Sequence, residues 1–219
     1  MNIRAHFEEE KRLVREDILS MGVRVEEDLR KAIVAFKNKD MQLAKAVRDD
    51  DEVINHLQEA IEDRCARIIA TQQPVAQDMR WLITSIKIAD QLERIGDHAV
   101  HLAKAAIKLE KEPYIKPLDY LERMASTGAN MIQGAISAFM ALDAEKARSV
   151  ATMDDAVDRD HKALVQDILD YVQKNPDKAP QGTKIIQTSG FLERLGDHVT
   201  NICEMIVYCV EGRRVELNE

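Results

Sequence analysis

Apolar residues recur at Leu13, Ile18, Met21, Val25, Leu29, Ile33 and Phe36, mostly three and four apart, which draws one stripe along a helix from His6 to Phe36. The polar stretch Asn38-Lys39-Asp40 interrupts it, and Asp40 is a good N-cap for a second helix. That helix carries Leu43, Val47, Ile54, Leu57, Ile61, Cys65 and Ile68 to about Thr71. Proline removes a backbone donor and clashes with the preceding turn, so it marks where helices cannot run. Pro74 stands alone, Pro113 and Pro117 bracket one short segment, and Pro176 and Pro180 bracket another. Between these breaks the pattern is helical throughout, with a third helix from just after Pro74 to about Leu109.

The second half repeats the first. Leu92-Glu93-Arg94-Ile95-Gly96-Asp97-His98 returns as Leu192-Glu193-Arg194-Leu195-Gly196-Asp197-His198, an offset of 100 with six of seven positions identical. Ala35-Phe36 and Asp40 return as Ala138-Phe139 and Asp143, an offset of 103. These offsets predict an all-α fold of six helices, built as two three-helix units side by side over residues 1–110 and 118–219. A proline-flanked linker at 111–117 joins them. In the second unit helix 5 is expected to end near 173 and helix 6 to start near 182.

Composition narrows the classes further. Aromatic content is 4%, with eight Gly and five Pro, and the chain is rich in residues that lose little freedom in helices, which excludes all-β and disulfide-rich folds. A net charge of -8 leaves no broad basic surface for a nucleic-acid backbone. Cys65, Cys203 and Cys209 are odd in number, form no Cys-x-x-Cys and sit in apolar helical stretches, as core thiols of a reducing compartment do. The N-terminus runs from Met1 straight into charges, and no apolar run approaches about 18 residues, so a cytoplasmic chain without membrane insertion is expected.

Candidate chemistry centres on carboxylates. Glu93 and Asp97 are i and i+4 on one helix face, as are Glu193 and Asp197, and like charges at that spacing weaken a helix by a few tenths of a kcal/mol unless a cation lies between them. A solvated acidic face is the competing reading. Counting away from the turns places Asp51 level with about residue 95, Asp158 with about 197 and Asp154 with about 201, with Glu26 and Glu27 opposite Asp51. Carboxylates converging at one height suit hard or borderline cations. Asp90, Glu93, Asp97 and His101 form a stripe at spacings of 3, 4 and 4, so His101 can join a site in the first unit; its counterpart is Asn201. Gly96 and Gly196 sit in helix interiors at a cost of about 1 kcal/mol each against alanine, for close helix approach or to make room for a cation. Arg94 and Arg194 read as partners of neighbouring acids, and His98 and His198 as packed side chains. No Glu-x-x-His tetrapeptide of the ferritin-like di-iron kind is present; Asp158-x-x-His161 comes nearest.

At these residues the chain resembles the PhoU family of phosphate-transport regulators over almost its whole length. Gln73-Pro74-Val75-Ala76-Gln77-Asp78-Met79-Arg80, Leu92 to Ala99 and the second copy of that segment carry the resemblance. It implies metal ions or multinuclear iron clusters on two pseudo-symmetric three-helix bundles, with Glu93, Asp97, Glu193 and Asp197 as ligands. Asp154 and Asp158 match the family's Asp-x-x-x-Asp form, whereas Asn55 departs from it opposite Asp51. The metal is left open among iron, zinc, manganese and magnesium. The resemblance also implies a homodimeric adaptor, not an enzyme, between the phosphate-specific ABC transporter ATPase and its sensor histidine kinase, holding the phosphate-starvation response off. A carboxylate-bridged metal enzyme and a metal-free helical spacer are the alternatives.

Overall fold

The computed structural model describes residues 3–217; residues 1–2 and 218–219, at the ends of the two expected units, lie outside the described residues. Among the described residues every element is helical: α1 (Ile3–Asn38), α2 (Met41–Gln72), α3 (Ala76–Lys108), α4 (Asp119–Ala141), α5 (Ala144–Ala151), α6 (Asp154–Lys174), a 3-10 turn (Pro176–Lys178) and α7 (Ala179–Glu211). The first three pack as one bundle, and α4 with α5, α6 and α7 as its repeat. The six-helix plan holds, with one helix interrupted. At Thr152 and Met153 the second helix of the second repeat breaks into α5 and α6, where the Thr152 hydroxyl donates to the Ser149 carbonyl at 2.8 Å and Met153 N–H bonds Val150 at 3.0 Å. Such side-chain bonding competes with the helix ladder.

The same device turns α1 into α2 and α4 into α5. A left-handed residue, Lys39 or Leu142, reverses the chain, and the following aspartate caps the next helix. Asp40 accepts from Gln42 and Leu43 N–H, both at 3.0 Å, and Asp143 from Lys146 N–H at 2.9 Å. Gln73, also left-handed, ends α2 before Pro74.

The apolar stripes of both repeats merge into one core, with α3 against α7 and α1 against α4 at its centre. Glycines allow the close crossings there. A methyl on Gly22 of α1 would stand 2.6 Å from Ile136 of α4, and one on Gly128 of α4 would stand 2.8 Å from Leu195 of α7. Trp81 of the first repeat stacks on Phe139 of the second at 5.8 Å. The segment between α3 and α4 is pinned to both repeats. Tyr114 stacks on Phe36 at 5.2 Å and donates its hydroxyl to the Phe36 carbonyl, while Ile115 N–H donates to Gln181 at 2.7 Å. All three cysteines are free and buried, and burial pushes Cys65 and Cys203 up to about 12, which makes them core thiols.

Candidate metal centre

In the first repeat, α3 presents Glu93 and Asp97 one turn apart and α2 brings Asp51 against them. Burial raises the Glu93 carboxyl above its ordinary value, and the charges of Asp97, Asp90 and Asp51 add to the rise. Burial and Asp97 likewise raise Asp51, opposed by Lys104 and His101. Four of the expected side chains, Asp51, Glu93, Asp97 and His101, thus share one electrostatic neighbourhood. Asp90 acts on Glu93 but is engaged elsewhere, 3.6 Å from Arg94 and accepting from Gln91 at 3.0 Å. Arg94 has the acidic partner expected of it.

The second repeat repeats this on α7. Glu193 is raised by burial and then by Asp197 and Asp158, with His161 opposing. Asp158 also holds Lys162 at 3.0 Å. Asp154, at the first position of α6, is buried over Gly196, where a methyl would collide with its Oδ1. Gly96 differs: its methyl would meet the Ile54 side chain at 3.1 Å, so it serves close helix approach, while Gly196 admits a carboxylate.

The registers differ from those counted along the sequence. Asp154 lies opposite Gly196 rather than about residue 201; α7 begins at Ala179 directly off the 3-10 turn, not near 182, which accounts for part of that shift. In the first repeat Ile54 faces Gly96, about a turn from the counted register in the other direction. Glu26 and Glu27 do not reach Asp51; they pair with Arg30 and Lys31 on their own helix. The acid of α1 that meets a carboxylate of α2 is Asp28, an apolar-stripe position three residues after Val25, and its partner is Asp50.

His98 and His198 are packed, as their position after the aspartates predicts. Their rings stack at 5.3 Å where α3 crosses α7, with Phe191 5.9 Å from His98. His198 Nδ1 lies 2.9 Å from Gln91 Oε1, and both His98 nitrogens are buried without a hydrogen-bond partner. Burial, with His198, His101 and Arg194, drives His98 down to about 4, so it stays neutral.

Among the described residues no three His, Cys, Asp or Glu side chains converge on one point that could hold an ion. The donors are of the right chemistry all the same: two carboxylates one turn apart in each repeat, of which Glu93 and Glu193 are raised by burial and by the aspartate beside them, a third carboxylate across the groove and one imidazole. Lys162 on Asp158 and Arg94 on Asp90 are the contacts a cation would displace.

The PhoU domain family model matches the chain twice, over residues 18–106 and 121–206. The phosphate-specific transport system accessory protein PhoU homolog of Pseudomonas putida is 37% identical over 216 residues, 98% of this chain and 84% of that protein. Its counterpart from Escherichia coli K12 is 32% identical over 97% of this chain and 88% of its own length. Among solved structures, PhoU from Pseudomonas aeruginosa superposes with a TM-score of 0.91 at 36% identity, over 94% of this chain and 100% of that one. The phosphate transport system regulatory protein PhoU from Streptococcus pneumoniae gives 0.89 at 33%, over 95% and 99%. Across the described residues no helix is long and apolar enough to cross a membrane. Two matched domains, relatives along nearly the whole chain and a shared fold place this chain in the PhoU family.

Proposed function

We propose that this chain is a cytoplasmic, non-enzymatic accessory protein of a phosphate-specific transport system, acting as a metal-dependent homodimeric adaptor that represses the phosphate-starvation response. The observation carrying this reading is the near full-length match to relatives named as accessory proteins of phosphate-specific transport. Its partners are the transporter ATPase and the sensor histidine kinase. The duplicated Glu-x-x-x-Asp supports the metal: Glu93 and Glu193, held above their ordinary values by burial and by an aspartate one turn on, relieve that strain by binding a cation. Glu93, Asp97, Asp51 and His101 hold it in the first repeat, with Asp90 at the edge; Glu193, Asp197 and Asp158 hold it in the second, with Asp154 behind. With a net charge of -8 the protein has no intrinsic attraction to an anionic membrane surface, so bound cations on these faces ease its approach to a transporter.

Deleting the gene derepresses a phosphate-starvation reporter in phosphate-replete cells, and Asp97→Ala with Asp197→Ala lowers bound metal by elemental analysis while circular dichroism stays helical. A reporter that stays repressed in the deletion strain removes the regulatory reading. Unchanged metal in the double variant removes the ligand assignment.

A further inference from the structure

Gly212 takes a φ of 74° and closes α7 with its N–H on the Tyr208 carbonyl at 2.9 Å, a left-handed cap that turns the chain back along the helix it ends. The returning segment, 213–217, is held where Leu217 N–H donates to Glu204, thirteen residues back, at 2.9 Å, and Val215 and Leu217 pack against the core. Between this segment, α3 and α7 lies a cavity of about 570 Å³, within the size range of small-molecule sites. Ile83 of α3, Met205 and Tyr208 of α7 and Val215 of the returning segment give it apolar walls.

Two cations line the same cavity, Lys87 from α3 and Arg214 from the returning segment. Among the described residues neither has an ion-pair or hydrogen-bond partner, and the Tyr208 hydroxyl has none either. Of the two acids in the lining, Glu204 is engaged by Leu217 N–H, which leaves Glu216 beside two unpaired cations and a free phenol. The first repeat has no such arrangement. The offset of 100 puts Thr183, Gln187, Ala105 and Lys108 at the positions of Ile83, Lys87, Met205 and Tyr208, and α3 ends at Lys108 and runs on into the linker instead of folding back. The apolar walls and the returning segment belong to one end of the α3–α7 crossing, so the crossing itself does not require them.

We propose that this cavity binds a small carboxylate with an apolar body, of the size of a medium-chain fatty acid, its chain against Ile83, Met205 and Val215 and its head group taken by Lys87, Arg214 and the Tyr208 hydroxyl. Apolar walls with a few convergent polar groups are the usual make-up of a small-molecule site, and a carboxylate is the head group that unpaired lysine, arginine and phenol donors complement. A net charge of -8 opposes approach to an anionic bilayer, which favours a dissolved ligand over a lipid in a membrane. The site shares no residue with the carboxylates around Glu93 and Glu193 and stands independently of the metal reading.

The test uses the full chain and decanoate below its micellar concentration. Calorimetry measures binding, and NMR of the labelled Met205 methyl group reports where the ligand sits. Decanoate is expected to bind one-to-one and to shift the Met205 methyl, and decyltrimethylammonium, with the same body and the opposite charge, to bind at least about 10-fold more weakly. Lys87→Gln with Arg214→Gln, both on exposed side chains, weakens decanoate about 10- to 100-fold. Lys104→Gln with Lys108→Gln, at the corresponding end of the first repeat, leaves decanoate unchanged. No saturable decanoate binding, equal affinity for the cationic probe, or wild-type affinity in the Lys87/Arg214 variant overturns the proposal. Binding to phosphatidylglycerol vesicles that the Lys87/Arg214 variant loses, without decanoate binding, assigns these residues to a membrane surface and overturns it as well.

Discussion

The same helix crossing is built from opposite chemistry in the two repeats. Where α1 meets α2, Asp28 is buried at 1% exposure and accepts at Oδ1 from Lys31 at 3.0 Å, and Asp50 pairs with Arg24. The second oxygens of both acids are buried without a hydrogen-bond donor. At the offset of 103 the corresponding residues are Met131, Gly134, Met153 and Thr127, with Met131 fully buried. Burial raises the Asp28 carboxyl to about 6, helped by Asp50 and opposed by Lys31. Burial acts upward on Asp50 too, but Arg24 and the contact with Asp28 outweigh it and hold that carboxyl below its ordinary value. Near neutral pH both members are therefore anions, and Asp28 is the one that carries the cost of burying its charge. The fold does not require charges at these positions, since the other repeat carries methionines there, with Met153 in the break between α5 and α6.

Replacing the acidic pair by the methionine pair of the other repeat breaks the comparison most directly. Asp28→Met with Asp50→Met is expected to stabilise the chain by about 1–4 kcal/mol near neutral pH in urea unfolding, as when buried ion networks give way to packed apolar side chains. Asp50→Met alone, which leaves Asp28 buried and charged with Lys31, gains less than the double variant; the cycle measures the coupling. The pH dependence follows from Asp28. Its folded value lies above the ordinary 3.8, so the folded state holds the proton longer than the unfolded chain, and stability falls as pH rises from about 4 to about 6. Arg24, Lys31 and Asp50 are the charges that face this group, with Glu27 acting on Arg24 and Lys31. In the double methionine variant that fall disappears. A double variant less stable than the parent at pH 7 would show that the acids are structural.

The first repeat also shows what a sequence makes legible. Stripes at three-and-four spacing, proline breaks, the caps at Asp40 and Asp143 and the duplicated Glu-x-x-x-Asp are local patterns, and each reports local physics, so the helices and the paired carboxylates follow from them. Asp28 was legible in principle, because it sits on the apolar stripe between Val25 and Ala32. The break at Thr152 and Met153 carries no proline or glycine to mark it. Registers across a turn accumulate the error of both helix ends, which is why Asp154 stands at Gly196 and why the contact of His161 with Ser189, 28 residues away, has no signature in the chain.

A smaller effect separates the two helix-interior glycines. Alanine at either position gains about 1 kcal/mol of helix propensity. At 196 the new methyl runs into the Asp154 carboxylate, and overpacking of that kind costs about 1–3 kcal/mol, so Gly196→Ala is expected to be net destabilising in thermal unfolding. At 96 the nearest atom is the end of the Ile54 side chain at 3.1 Å, which can give by a few tenths of an ångström, so Gly96→Ala is expected near neutral. Asp154→Ala should erase the difference between the two. Equal losses at both glycines in the presence of Asp154 would assign them one role.

The smallest expected difference lies in the two caps. Asp40 satisfies two otherwise orphaned N–H groups at the head of a helix that runs to Gln72, whereas Asp143 satisfies one at the head of α5, which ends at Ala151. Losing an aspartate cap costs about 1 kcal/mol, and the loss scales with the donors left unpaired. Asp40→Ala is therefore expected to lower the urea midpoint by more than Asp143→Ala. Hydrogen exchange sharpens the contrast, because α5 is already separated from α6 by the break at Thr152 and Met153. Loss of its cap should raise exchange within 144–151 and leave α6 protected, while loss of the Asp40 cap should be felt as a global change, since α2 has no break at which fraying can stop. Exchange that spreads from α5 into α6 in Asp143→Ala would mean that the two segments still unfold as one helix.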